Sequence, residues 1–124
     1  MHNHNIKICI FGLGYVGIKL AINFSKKYKT IGYDSNKIRV NELNNGFDVN
    51  SEVTKKNLIN INLKFTSEIL DLQESNFYII AVPTPIKKNK DPDLKSLKEA
   101  TKKVSTILNK KDFVVYESTV YPGC

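Results

Sequence analysis

The amino-acid sequence predicts an α/β fold with a doubly wound parallel sheet, and three observations lead to that expectation. Segments with strand and helix patterns alternate along the chain, as they do in proteins whose parallel strands are connected by helices. The apolar run at residues 6–11 leads into a glycine-rich hexapeptide, and an amphipathic stretch follows from residue 15 to about residue 28. Asp34 then closes a second apolar run. This combination is typical of a Rossmann-type domain.

Five strands are predicted from short apolar segments that are bounded by turn residues. They cover residues 6–11, 30–34, 63–66, 77–82 and 113–117. A doubly wound topology with right-handed crossovers predicts the strand order 3-2-1-4-5, which leaves the fifth strand at an edge. Because an exposed edge strand can pair with another chain, we expect self-association or poor solubility unless this edge is covered.

Helices are predicted between the strands from apolar spacing and from capping residues. The helical segments cover residues 15 to about 28, a short stretch after residue 35, one or two turns within 53–58, residues 67 to about 72, and residues 94–108. Ser35, Ser67 and Asp93 are the predicted caps, the second of them together with Glu68. The last helix is the clearest, because its apolar residues recur at helical spacing.

The glycine-rich hexapeptide has the spacing of a dinucleotide-binding loop, and it consists of Gly12, Leu13, Gly14, Tyr15, Val16 and Gly17. In such a loop the first glycine permits a tight turn, the second lets a pyrophosphate approach the backbone, and the third lets the helix pack on the strand. Free amide groups at the helix N-terminus then face the phosphates. The alternative is a Rossmann-like fold whose nucleotide site is empty or different.

Asp34 lies twenty residues beyond Gly14, at the predicted end of the second strand. A carboxylate at this place accepts hydrogen bonds from the adenosine ribose hydroxyls of NAD, and its charge repels the 2′-phosphate of NADP. The sequence therefore predicts NAD as the cofactor.

The composition indicates one globular domain over residues 1–124, with 41% hydrophobic and 25% charged residues. No apolar stretch approaches the roughly 20 residues that span a membrane, and we interpret the start of the chain as lacking a signal peptide, so we expect a cytoplasmic protein. The net charge of +7 comes from scattered lysines, which predicts a solvated surface that attracts nucleotides and no nucleic-acid partner.

The histidines and cysteines predict neither a metal site nor a disulfide. His2 and His4 lie in a terminal segment without a third ligand nearby, so no metal is expected. Cys9 is predicted to be a small core residue, and Cys124 is the last residue of the chain.

Two further segments follow predicted strands at the edge of the sheet where ligands bind in open parallel sheets. One is the loop Val82, Pro83, Thr84 and Pro85, and the other is Glu117, Ser118 and Thr119. The proline loop also fits simple strand termination, and the two hydroxyl residues also fit helix capping. Both explanations are compatible with a binding role, because a hydroxyl that caps a helix can still face a ligand.

Taken together, the motifs resemble the N-terminal domain of the UDP-glucose/GDP-mannose dehydrogenase family over the whole chain. The resemblance rests on the glycine hexapeptide, on the Gly-Tyr-Asp that ends in Asp34, on the Val-Pro-Thr-Pro loop, and on the Glu-Ser-Thr-Val-Tyr-Pro-Gly segment at 117–123. The last two motifs look most like the bacterial branch that acts on UDP-N-acetylgalactosamine or UDP-N-acetylglucosamine, for surface polysaccharide or capsule synthesis.

The resemblance implies an oxidoreductase that oxidises the sugar C6 alcohol twice with NAD, through a thioester on a cysteine. It implies that Asp34 holds the adenosine ribose and that Arg39 contacts the adenosine phosphate side of the cofactor. Val82 belongs to the loop at the cofactor, and Thr84 and Ser118 line the nicotinamide half. Thr119 matches the family threonine that helps to hold a catalytic water, although a buried helix cap is the alternative for this residue.

The same resemblance implies that this chain is a fragment of a longer protein. Family members are much longer and form homodimers, and their catalytic cysteine, their oxyanion-stabilising lysine and their dimerisation and sugar-binding regions lie beyond residue 124. Neither Cys9 nor Cys124 matches the nucleophile. We therefore expect the chain alone to be inactive. Two alternative functions are another NAD-linked dehydrogenase or reductase of the same fold and a non-catalytic NAD-binding module.

Overall fold

Five parallel strands form one sheet, and the computed structural model describes residues 6–48, 54–83, 88–89 and 94–117 of the chain. The strands are β1 (Lys7–Phe11), β2 (Lys29–Tyr33), β3 (Leu63–Thr66), β4 (Phe77–Ile80) and β5 (Phe113–Tyr116). Their order across the sheet is β3-β2-β1-β4-β5, and every neighbouring pair is parallel. The predicted fold class and strand order are confirmed.

Helices connect the strands on both faces of the sheet. They are α1 (Tyr15–Ser25), α2 (Lys37–Asn44), α3 (Lys55–Leu58), a 3₁₀ helix (Ile69–Leu72) and α4 (Lys95–Ser105). The alternating side chains of β1 show the two layers: Ile8 and Ile10 pack with apolar residues of α1 and α2, whereas Cys9 and Phe11 pack with those of α4. Such alternation follows from the two-residue period of a strand that is buried on both faces.

Two predicted helix caps are wrong, for the same physical reason. Asp34 accepts a hydrogen bond from the backbone N–H of Asn36, and Thr66 accepts one from the N–H of Glu68. In each case the last polar residue of a strand closes a short turn two residues ahead, and the predicted cap, Ser35 or Ser67, becomes the middle of that turn. Asn36 is the N-cap of α2, and Glu68 precedes the 3₁₀ helix without a side-chain cap.

The two longest helices end three residues earlier than predicted. At the end of α1 the N–H groups of Lys26 and Lys27 bond to carbonyls three residues back, which tightens the chain into turns. At the end of α4 the hydroxyls of Ser105 and Thr106 bond to carbonyls three residues back, each at 2.6 Å. This helix begins one residue late, with Leu94 at the cap position, and the predicted cap Asp93 lies outside the described residues.

Candidate functional site

The glycine loop lies at the carboxyl end of β1, between the ends of β2 and β4. The N–H of Gly12 donates to the carbonyl of Tyr33 at 2.7 Å, which joins the loop to β2. Gly12 has a φ of +110°, and a Cβ there would lie 3.0 Å from the backbone of Ala81, just beyond β4. Val82 follows and is half-buried, with Cγ1 3.1 Å from the same position. A glycine at residue 12 therefore permits both the turn and the approach of the two strand ends.

The other two glycines of the loop differ sharply in their surroundings. A Cβ on Gly17 would lie 1.7 Å from the carbonyl oxygen of Gly12, so the helix packs directly against the loop. A Cβ on Gly14 would meet nothing within 4 Å. The loop thus has one side that is closed by the protein and one side, at Gly14, that is open to a ligand.

Helix α1 begins at this open side. Gly14 is its N-cap and provides no side-chain hydrogen bond, so the amide groups of the first turn are left for a ligand. Tyr15 is 54% exposed beside them, and its hydroxyl accepts a hydrogen bond from Lys19 Nζ at 2.7 Å. Val16 is half-buried at the second helical position. The positive end of the helix dipole favours an anion at this place.

Both polar groups of Leu13 in the loop are bound by charged side chains. Its N–H donates to Asp34 Oδ2 at 2.9 Å, and its carbonyl accepts from Arg39 Nε at 3.0 Å. Leu13 itself is fully buried. The peptide groups that flank Leu13 are therefore fixed from two directions before any ligand binds.

Asp34 is held by three backbone contacts. Its Oδ1 accepts from the N–H of Asn36 at 2.9 Å, Oδ2 accepts from Leu13, and its own N–H donates to the carbonyl of Thr66 at 3.1 Å. Each carboxylate oxygen keeps unused lone pairs, because it accepts one described bond. The carboxylate is thus oriented beside the glycine loop and can accept further hydrogen bonds.

Arg39 turns inward and forms an ion pair with Asp48. The Nη1 to Oδ1 distance is 2.6 Å, and the two side chains are only 10% and 0% exposed. Nη2 of Arg39 is also buried and has no hydrogen-bond partner among the described residues. The expected contact between Arg39 and the cofactor stays a prediction, and it would require Nη2 to become exposed.

Asp48 was not among the predicted site residues, and the end of α2 brings it into place. The N–H of Gly46 donates to Leu43 and the N–H of Phe47 donates to Glu42, which is the bond pattern of a Schellman motif. Gly46 has the φ of +79° that such a motif requires. The chain therefore reverses after α2 and brings Asp48 back onto Arg39, and the glycine before it was the available signal.

The remaining predicted site residues, Thr84, Ser118 and Thr119, lie outside the described residues. Within the described ranges, no three histidine, cysteine or acidic side chains are close enough to hold a metal ion. His2 and His4 lie outside those ranges.

The described helices also include none that is both long enough and apolar enough to cross a membrane.

Cys9 and Tyr78 face each other on the neighbouring strands β1 and β4, beneath the loop. Burial raises the pKa of the Cys9 thiol far above its usual range, so this sulfur stays protonated and unreactive. Burial also raises the pKa of Tyr78 to about 12, and its hydroxyl donates to the carbonyl of Leu72 at 3.0 Å. As predicted, Cys9 is a core residue.

Comparison with known proteins gives a family match for the chain. Residues 6–124 match the family model described as UDP-glucose/GDP-mannose dehydrogenase family, NAD binding domain. The chain is 57% identical to the UDP-N-acetyl-D-glucosamine 6-dehydrogenase of Salmonella typhi and 45% identical to that of Pseudomonas aeruginosa, in each case over 96% of this chain and 28% of the relative.

A solved structure with a similar fold is that of a UDP-D-ManNAc dehydrogenase from Pyrococcus horikoshii. It superposes with a TM-score of 0.87 at 34% identity, and the match covers 95% of this chain and 29% of that one. The chain thus spans little more than a quarter of the length of these proteins.

Proposed function

We propose that this chain, which belongs to the UDP-glucose/GDP-mannose dehydrogenase family as its NAD-binding domain, is the cofactor-binding part of a bacterial UDP-N-acetylhexosamine 6-dehydrogenase. The whole enzyme would oxidise the C6 alcohol of the sugar to the uronic acid in two NAD-dependent steps, for surface polysaccharide or capsule synthesis. NAD, when bound, supplies the hydride acceptor.

The open side of Gly14 is the observation that carries the cofactor part of this proposal, and the similarity to UDP-N-acetyl-D-glucosamine 6-dehydrogenases supports the sugar part. Apart from Gly14 and its two chain neighbours, no described residue has an atom within 4 Å of the position that a Cβ on Gly14 would occupy, which leaves room for a pyrophosphate against the backbone. The first-turn amides of α1 lie at the same place and carry the partial positive charge that a pyrophosphate needs. The residues therefore fit the phosphates of a dinucleotide.

Asp34 supports NAD over NADP within the same proposal. Its oriented carboxylate is placed to accept hydrogen bonds from the two ribose hydroxyls, and it opposes a phosphate at the 2′ position. Arg39 lies beneath the loop, and its buried Nη2, which has no partner among the described residues, would reach the adenosine phosphate side once it became exposed. Tyr15, Val16 and Gly17 complete the cofactor-binding turn.

The nicotinamide side of the proposal rests on the family resemblance. It assigns Val82, Thr84 and Ser118 to the nicotinamide half and Thr119 to a catalytic water. The thiol nucleophile and the sugar site are assigned to the part of the relatives that this chain does not span, since it covers 28% of their length. We accordingly propose that the chain alone binds NAD without oxidising a nucleotide sugar.

We propose that this chain self-associates and that the whole enzyme forms a homodimer. Within the described part of the chain β5 pairs with β4 alone, and its side chains are largely exposed, with Phe113 at 62% and Tyr116 at 47%. Such an edge favours pairing with another strand. The proposal also places the protein in the cytoplasm, where cysteines such as the free Cys9 stay reduced.

Calorimetric titration of the chain with NAD and NADP tests the cofactor proposal. We expect NAD to bind more tightly, and Asp34→Ala to weaken NAD about tenfold or more, since bonds to a charged acceptor are lost, and to narrow the difference between the cofactors. Glu74→Gln removes an exposed charge near the amino ends of the strands and serves as the control. Equal or tighter binding of NADP to the unaltered chain contradicts the proposal, and NADH formation with UDP-N-acetylglucosamine should stay at background.

A further inference from the structure

The ion pair between Arg39 and Asp48 lies next to the place where NAD and NADP differ. Asp34 Oδ2 and Arg39 Nε contact the N–H and the carbonyl of the same residue, Leu13. The two charged groups therefore lie within roughly 10 Å of each other. A ribose that bonds to Asp34 thus brings its 2′ substituent within the range of the arginine side chain.

An arginine near the ribose is the side chain that NADP-binding domains use for the 2′-phosphate. Guanidinium groups hold a phosphate best with two parallel hydrogen bonds from neighbouring nitrogens. In this chain Nε is bonded to Leu13 and Nη1 is bonded to Asp48, which leaves Nη2 alone. Arg39 therefore has no pair of nitrogens with which to hold a phosphate.

We propose that Asp48 is a determinant of cofactor specificity, which keeps Arg39 from binding the 2′-phosphate of NADP. The Asp48 side chain is 0% exposed and is paired with Arg39, so in this proposal it is a positioning residue that acts through Arg39. Its negative charge also balances the arginine, so the site as a whole offers no excess positive charge to a 2′-phosphate. This inference rests on the proposed NAD function and adds a second source of discrimination to the repulsion by Asp34.

A purely structural role for Asp48 predicts a different outcome. If the ion pair only supported the glycine loop, its loss would weaken NAD and NADP by the same factor. If the ion pair restrains Arg39, its loss frees Nη1 together with Nη2, and binding of NADP improves while binding of NAD does not. The ratio of the two dissociation constants therefore separates the two roles.

Titration of Asp48→Ala with NAD and NADP tests the proposal. The substitution removes the carboxylate that holds Nη1, and we expect NADP to bind about tenfold more tightly than it binds the unaltered chain, as one charge-assisted contact is gained. The double variant Asp48→Ala with Arg39→Gln should lose this gain, because the new contact is attributed to the arginine. Glu74→Gln controls for the general effect of one fewer negative charge.

An unchanged ratio, or parallel weakening of both cofactors, overturns the proposal. Absence of NAD binding to the unaltered chain contradicts the proposed function itself, and the inference falls with it. A crystal structure of the unaltered chain with NAD gives a second measurement if the variant does not fold. The proposal requires the bond from Arg39 Nη1 to Asp48 to persist in that complex, and an Arg39 that has left Asp48 for the ribose overturns it.

Discussion

The part of the sheet around β1 and β2 and the part around β5 differ in how far their residues are buried and hydrogen-bonded. Around β1 and β2, the glycine loop, Asp34 and Arg39 form a continuous set of contacts, and the Leu13 peptide groups are bonded in both directions. Around β5, Phe113 and Val115 are 62% and 42% exposed, and their face of the strand has no covering helix among the described residues. The glycine-loop side of the sheet is thus preformed in this chain, whereas the β5 side presents an apolar surface that no described helix covers.

The difference has a physical origin in sequence distance. The side-chain contacts that join Leu13 to Asp34 and Arg39, and Arg39 to Asp48, all lie within the first 48 positions, in a strand, helix, strand and helix that follow one another directly. Burial on the β5 side requires an element that packs on Phe113 and Val115, and among the described residues α4 covers only the opposite face. Preformed contacts leave less ordering entropy to be lost when a ligand binds.

Gly17→Ala should have the largest effect on stability, because it changes the tightest backbone contact on the β1–β2 side, between Gly17 and Gly12. The new methyl group would lie 1.7 Å from the backbone carbonyl of Gly12, and neither group can move without shifting the helix or the loop. We expect a loss of at least about 3 kcal/mol in the free energy of unfolding, or no folding at all. Urea denaturation followed by circular dichroism measures it.

Gly14→Ala is the matched control for that substitution, because it adds the same methyl group to the same loop but into open space. It should keep a free energy of unfolding within about 1 kcal/mol of the unaltered chain. Equal destabilisation by the two substitutions would show that the closeness of Gly12 and Gly17 is not what holds the loop.

Gly14→Val sharpens the comparison by separating binding from folding at the same loop. Its side chain should fill the space that we assign to the pyrophosphate, so NAD binding is expected to disappear while the thermal midpoint changes little. Calorimetric titration and thermal denaturation of one sample give both quantities. Retained NAD affinity in a folded Gly14→Val chain would mean that the cofactor does not approach the loop at this glycine.

Much of the β1–β2 side was predictable from the sequence, because local residue patterns determine its strands and its glycine loop. The strand order follows from right-handed connections and the glycine spacing, and strand ends differ from the predicted ones by two residues at most. Ser35 was a wrong cap because the Asp34 carboxylate accepts a hydrogen bond from the N–H of Asn36 and closes a turn at this place. Residue type alone does not show whether such a turn or a serine cap will form. Asp48 was missed because its partner is nine residues away across a reversal that only the φ of Gly46 creates.

Val115→Lys tests whether the exposed face of β5 takes part in self-association. If association occurs through the exposed face and edge of β5, a buried lysine charge at the contact should raise the dissociation constant of self-association about tenfold or more. Sedimentation velocity over a range of concentrations measures it. Leu70→Lys, which places the same charge at a 71% exposed leucine of the 3₁₀ helix, is the control and should leave association unchanged.

The smallest expected effect concerns the strand pair β1–β4, which joins the two sides. Tyr78 is fully buried there, and burial, with smaller contributions from Cys9 and Asp112, raises its pKa to about 12. In the unfolded chain a tyrosine loses its proton near about pH 10. Between these values the unfolded state binds fewer protons than the folded state, so the free energy of unfolding falls as the pH rises from about 10 towards 12.

Tyr78→Phe removes this pH dependence and keeps the ring. At neutral pH the variant should be about 1 kcal/mol less stable, because the buried carbonyl of Leu72 loses its donor. From about pH 10 upwards it should lose stability less steeply than the unaltered chain, so the two urea-denaturation curves converge. Tyr116→Phe removes a half-exposed hydroxyl that is hydrogen-bonded to Thr101, and it serves as the control for loss of a tyrosine hydroxyl at the surface. A constant difference between Tyr78→Phe and the unaltered chain across this range would show that the Tyr78 hydroxyl titrates alike in the folded and unfolded states, and that the junction between the two sides is open to water.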